Sequence, residues 1–119
     1  MIEEAKKIYD ESIVIDACAP LASYKNEYRR YLEGGLTAIA ASLLPAGGYL
    51  PETIKGLEGW YKRFRKDDRL LEVLTVDDIY RAKHEGKLGV ILAFQGTTHL
   101  QADLTMLEVY YRLGLRQIQ

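Results

Sequence analysis

Residues 88–94 read Leu-Gly-Val-Ile-Leu-Ala-Phe, a run without charge or strict alternation and with β-branched side chains at its centre. Such a run suits a strand buried on both faces, because a half-exposed strand alternates apolar with polar residues. The flanks agree with that reading. Gly86 stands before the run as a helix stop, and Gln95 to Leu100 follow it as a polar loop. Doubly buried strands belong to parallel sheets, whose members are joined by crossovers, usually helical.

Working upstream, Thr75-Val76-Asp77-Asp78 resembles a capping box with Asp in place of the usual Glu, opening a helix through Ile79, Tyr80 and Ala82 that Gly86 closes. Pro51-Glu52 suits a first helical turn, and Ile54, Leu57, Tyr61 and Phe64 continue a stripe with Trp60 beside it. Leu36 to Leu44 is small and apolar without alternation, which predicts a second doubly buried strand, and Pro45 to Gly48 reads as a loop. Tyr24, Tyr28 and Tyr31 lie at helical spacing ahead of the stop Gly34-Gly35. Ile2, Ala5 and Tyr9 share a helical stripe over residues 2–11, and Ile13-Val14-Ile15 then switches to a short buried strand. Downstream, Leu104, Leu107 and Tyr111 predict a helix ending at Gly114, and Leu115 to Gln119 begins another strand. The order is that of an α/β fold with about four parallel strands and covering helices.

The 119 residues, 48% hydrophobic and 28% charged, make one globular domain. A net charge of -1 leaves no face-wide basic excess, which argues against non-specific nucleic-acid binding. Cys18 is the only cysteine, so neither an internal disulfide nor a thiolate zinc site can form within one chain, and a reducing compartment fits. The N-terminus has no signal-peptide pattern, and the longest mostly apolar stretch, Gly35 to Tyr49, is too short and too broken to span a bilayer. These features predict a soluble, cytoplasmic protein without membrane contact. The final strand runs into Gln119 with no turn, cap or polar tail, which predicts residues 1–119 to be a single domain cut at its C-terminal end.

Ligands in parallel α/β architectures bind at the carboxyl ends of the strands. The three loops at those ends are Asp16 to Pro20, Pro45 to Leu50, and Gln95 to His99, and the first and third carry the polar residues. Asp16 can orient a substrate or a metal-ligand neighbour, but an Asp after a buried strand more commonly caps the following helix or bonds loop amides, and the cap is the reading favoured here. Cys18 and His99 admit a nucleophilic pair, against the plainer reading of a buried lone cysteine and a surface histidine. Gln95, an amide at a strand end, can serve a substrate carboxylate or carbonyl, or else the loop backbone. His84, near a helix end, favours the negative helix terminus. Lys62, Arg63, Arg65, Lys66 and Arg69, interleaved with Trp60, Tyr61 and Phe64, read as a solvated helix face with the aromatics turned to the sheet.

Four segments together resemble the N-terminal part of the membrane (renal) dipeptidase family: Ile13 to Cys18, Gly34 to Ala38, Glu85 to Gln95, and Asp103 through Arg116. The resemblance implies the N-terminal half of a (β/α)8 barrel related to the amidohydrolases, zinc-dependent in the parent family and cleaving dipeptides and some related amides. In that family the first strand ends in Asp-x-His-x-Asp, whose His and last Asp bind zinc, and the third ends in a glutamate that bridges two zinc ions. Here Asp16 keeps the first position, while Cys18, Pro20 and Gln95 stand at the ligand positions. The two later histidine ligands would lie beyond Gln119. No cofactor is therefore evident in this chain, and the pattern resembles a divergent branch of the family.

Two functions follow as expectations. One is a part of a membrane-dipeptidase-like hydrolase acting on dipeptides or small amides. The other is a catalytically inactive barrel that holds a small polar or dipeptide-like ligand, or that assembles as a half-barrel dimer. The strand edges of a half barrel need covering, by the missing half or by self-association.

Overall fold

The apolar run at residues 88–94 is the hub of the sheet. The computed structural model describes residues 1–23, 27–43 and 48–119. Tyr24 of the tyrosine stripe, and Leu44 to Gly47 of the expected strand end and loop, lie outside the described residues. In chain order the elements are α1 (Ile2–Glu11), β1 (Ile15–Asp16), α2 (Tyr28–Glu33), β2 (Ala38–Ser42), α3 (Leu50–Lys66), β3 (Leu70–Glu72), α4 (Val76–Glu85), β4 (Leu88–Phe94), α5 (Met106–Arg112) and β5 (Leu115–Ile118). Short 3-10 turns occupy Pro20–Ser23 and Thr98–Leu100.

All strand pairings are parallel. β1 pairs with β2, and β2 pairs with β4 along its whole length, from Ala38 opposite Gly89 to Ser42 opposite Ala93. The far edge of β4 is shared: β3 takes Leu88 to Val90, and β5 takes Leu92 to Phe94. Four of the strands, β1, β2, β4 and β5, thus follow one another side by side, as successive strands of a (β/α)8 barrel do. β3 is a fifth strand that sequence reasoning did not expect, since the three residues Leu70 to Glu72 are too few to show a period. Its backbone pairs with the entry half of β4 that β5 leaves open. Between Leu92 and Ala93 the register with β5 slips by one residue, which makes Arg116 the bulged position.

β4 is covered on both faces. Leu88, Val90, Leu92 and Phe94 join Ile39, Ala41 and Leu43 in a core that Leu57 and Trp60 of α3 and Tyr110 of α5 complete. On the opposite face Ile91 packs with Leu71, Val73, Ile79 and Ala82. Gly89 is required there, because a Cβ would stand 3.1 Å from the Cβ of Ala38 and 3.0 Å from Val73.

Several expected stripes turn out rotated. On α3 the buried residues are Thr53, Leu57 and Trp60, and Ile54 is exposed. On α5 Tyr110 is buried while Leu107 and Tyr111 are exposed, because Tyr110 meets Phe94 edge-on at 4.8 Å and donates its hydroxyl hydrogen to the carbonyl of His99; Leu104, also exposed, lies ahead of the helix. α1 buries nothing, and β1 is a two-residue edge strand with Ile15 exposed, so the expected buried strand at residues 13–15 is short and only partly covered. The capping box is as read. Thr75 accepts from the Asp78 amide, Asp78 accepts from the Thr75 amide, and Gly86 closes α4 in the left-handed region. No helix among the described residues is long and apolar enough to cross a membrane.

Candidate active-site rim

The carboxyl ends of β1, β4 and β5 bring an amide-rich set of groups together, with one carboxylate, Asp16. At the β1 exit Asp16 accepts a hydrogen bond from the Cys18 amide at 3.0 Å, closing a turn in which the carboxylate serves the loop. The Ala19 amide then bonds the Ala40 carbonyl at 2.8 Å, tying the loop to β2. Cys18 is exposed, a correction to the buried cysteine expected, since it lies beyond the last paired residue of β1. The Gln95 side-chain amide approaches Cys18 Sγ at 3.8 Å, so two of the four candidate residues meet across the rim. Pro20 opens the 3-10 turn and offers no side-chain donor or acceptor.

β5 adds two residues that sequence reasoning missed. Gln117 donates to the Ala17 carbonyl at 2.9 Å and Gln119 to the same carbonyl at 3.3 Å. The signal was available: side chains two apart on a strand share a face, so Gln117 and Gln119 had to point together. What the sequence did not contain was the distance to β1, which lies beyond β2 and β4 in the sheet.

His99 is not the surface residue expected. It is 2% exposed, stacked on Phe94 with ring centroids 4.1 Å apart, and its Nδ1 lies 2.9 Å from Thr53 Oγ1. The Thr53 hydroxyl also meets the Tyr49 carbonyl at 3.0 Å, and the imidazole tautomer sets which group donates in the shared contact. His99 Nε2 is buried and without a partner among the described residues. Burial pushes the imidazole pKa down, more than the Gly48 backbone contact raises it, so the ring is neutral. His99 therefore clamps the loop after β4 onto the first turn of α3, and no Cys18 to His99 pair forms. His84 lies in the last turn of α4, at the terminus where a cation is favoured.

The donor set does not fit a pair of zinc ions. Gln95 is a neutral amide whose NH2 faces the Cys18 sulfur, Asp16 is engaged with its loop, and Pro20 is inert. Among the described residues no three His, Cys, Asp or Glu side chains converge.

A parallel sheet whose strands β1, β2, β4 and β5 run side by side with helices in the crossovers is the architecture of half a (β/α)8 barrel. The family model of membrane dipeptidase, peptidase family M19, matches residues 48–119, and the chain belongs to that family. Among solved structures it is similar to an amidohydrolase from Pseudomonas aeruginosa, at 25% identity and a TM-score of 0.84, over 96% of this chain and 35% of that one. It is also similar to dipeptidase AC, a metallopeptidase of family M19, at 17% identity and a TM-score of 0.70, over 89% of this chain and 41% of that one. The chain thus spans well under half the length of either. No curated protein matches it significantly.

Proposed function

We propose that this chain forms the substrate-facing wall of a membrane-dipeptidase-like hydrolase of dipeptides or small amides. In this reading the rim holds substrate with neutral groups, Gln95 above all, where the parent family is expected to place a bridging carboxylate. The observation that carries the reading is the meeting of Gln95 and Cys18 at the exits of β4 and β1, inside a chain whose residues 48–119 match the family. A carboxamide there can donate to a peptide carbonyl or a terminal carboxylate and accept from a peptide N–H. The test is turnover of a panel of dipeptides by the intact gene product. The expected result is measurable hydrolysis, with Gln95→Ala raising KM by about tenfold, the loss of roughly one charge-assisted hydrogen bond. Absence of turnover across the panel refutes the hydrolase reading.

A second reading is favoured by the donor set: a barrel that holds a dipeptide-like ligand without cleaving it. It expects saturable dipeptide binding, weakened by Gln95→Ala, with no product released. Restoring the family's ligand types by Gln95→Glu, Cys18→His and Pro20→Asp together is then expected to raise zinc uptake over the parent protein. Unchanged uptake in a folded triple variant refutes the assignment of these three positions to the metal rim.

A further inference from the structure

The basic run on α3 is not the fully solvated face its sequence suggests. Arg63 is half-buried: its guanidinium lies 4.6 Å over the Trp60 ring and donates to the Ser23 carbonyl at 2.6 Å. These contacts hold the group in place without neutralising it, since a ring face and a carbonyl carry no formal charge. Beside it opens a cleft of about 430 Å³ lined by Tyr28, Lys62, Arg63, Lys66, Asp67 and Arg69. That size lies in the range of small-molecule sites, about 300–1,000 Å³.

The charges in the cleft do not cancel. Lys62 is paired with Glu58, and Arg69 grips Asp67 through two bonds of 2.8 and 2.6 Å. Arg63 and Lys66 have no carboxylate partner among the described residues. Two unmatched cations, one of them a guanidinium held in position with N–H groups to spare, suit a compact dianion that accepts hydrogen bonds on several oxygens. Cations at a helix end also answer the partial negative charge of the last carbonyls. That accounts for finding basic residues at the end of α3, but not for pinning one against Trp60 at the wall of a cleft. The wall of the cleft reaches the loop after β1, since Ser23 also bonds the carbonyl of Ser42 at the end of β2, but its lining shares no residue with Asp16, Cys18, Gln95 or Gln117 of the rim.

We propose that this cleft is a binding site for a small phosphate-bearing anion, held by the fork of Arg63 and the ammonium of Lys66. It does not depend on the hydrolase reading, and its test does not use hydrolysis.

The test is titration of the intact gene product with inorganic pyrophosphate and with orthophosphate at constant ionic strength, followed by equilibrium dialysis. Saturable binding is expected. Arg63→Gln should weaken it by about tenfold or more and Lys66→Gln by about threefold or more, while Lys7→Gln on α1 should leave it unchanged. Arg63 also anchors Ser23, so its variant can lose folding. Lys66 has no such duty among the described contacts, and Lys66→Glu, which reverses the charge, decides the matter in a folded protein. No saturable binding, binding untouched by both Lys66 variants, or succinate binding as tightly as pyrophosphate would each overturn the assignment.

Discussion

β4 carries no charged residue while six of the ten residues of α1 are charged, and the structure treats the apolar side chains of the two in opposite ways. β4 is hydrogen-bonded along both edges and packed on both faces, with Leu88, Val90, Leu92 and Phe94 fully buried. α1 buries no residue, and its main tie to the body is Tyr9, whose hydroxyl bonds the Gly34 carbonyl and whose ring covers Gly35. Apolar side chains stabilise only where something covers them, so exposed Ile2 and Ile8 of α1 contribute little where buried Leu92 of β4 contributes much.

The sharpest way to break this comparison is to cut into β4. Leu92→Ala is expected to cost about 3 kcal/mol in unfolding free energy, read from urea titration, because the site is closed on every side and cannot collapse around the cavity. A loss under about 1 kcal/mol would show that β4 is not the hub.

Next is the turn that delivers β5 to β4. Gly114 has φ of +91°, and a Cβ there would stand 2.8 Å from Glu72 Oε1. Gly114→Ala is expected to cost about 2 kcal/mol by the same titration, from backbone strain plus displacement of the carboxylate.

The α4 cap supports β3 and β4 from outside. Thr75→Ala removes the side chain that accepts from the Asp78 amide, and about 1 kcal/mol of stability should go with it. The Asp78 carboxyl sits below the usual range: burial raises its pKa, but bonds from the Leu74 and Thr75 amides, the Thr75 hydroxyl and nearby Arg81 outweigh that.

His99 gives a prediction in pH. Its folded pKa is pushed below 6.5 by burial, so the unfolded chain takes up the proton first. Its contribution is fully present above pH 6.5 and is lost as the pH falls through that value toward the folded pKa. Urea midpoints measured at about pH 7.5 and 5.5 should therefore diverge in the parent protein, and the gap should narrow in His99→Gln. An undiminished gap in that variant would assign the acid sensitivity elsewhere.

The smallest effect belongs to the other side of the comparison. Ile8→Ala on α1, at an exposed position, should change stability by less than about 0.5 kcal/mol. A loss comparable to that of Leu92→Ala would mean that α1 is covered in solution by something outside the described contacts.

Much of the frame was legible in the chain itself. The uncharged run at residues 88–94 became β4, the run from Leu36 holds β2 at Ala38–Ser42, and the capping box at Thr75 and the stops at Gly34-Gly35, Gly86 and Gly114 are local chemistry that opens or closes the helices beside them. The stripes failed where one neighbour in space decided them. Ile54 and Thr53 compete for the inner side of α3, and Thr53 goes in because His99 and the Tyr49 carbonyl are there to satisfy its hydroxyl. Tyr110 displaces Leu107 and Tyr111 from the inner face because Phe94 and the His99 carbonyl receive it.

For the rim, the sequence alone determined which residue types stand at the strand exits: Asp16, Cys18, Gln95, and an amide where a bridging carboxylate was expected. Only the tertiary structure decided who meets whom. It joined Gln95 to Cys18, brought Gln117 and Gln119 to Ala17 across two intervening strands, and turned His99 inward. The physical reason is range. Backbone preference and periodicity act over a few neighbouring residues, whereas these contacts join positions from 46 to 102 residues apart and exist only once the parallel crossovers have folded them onto one sheet.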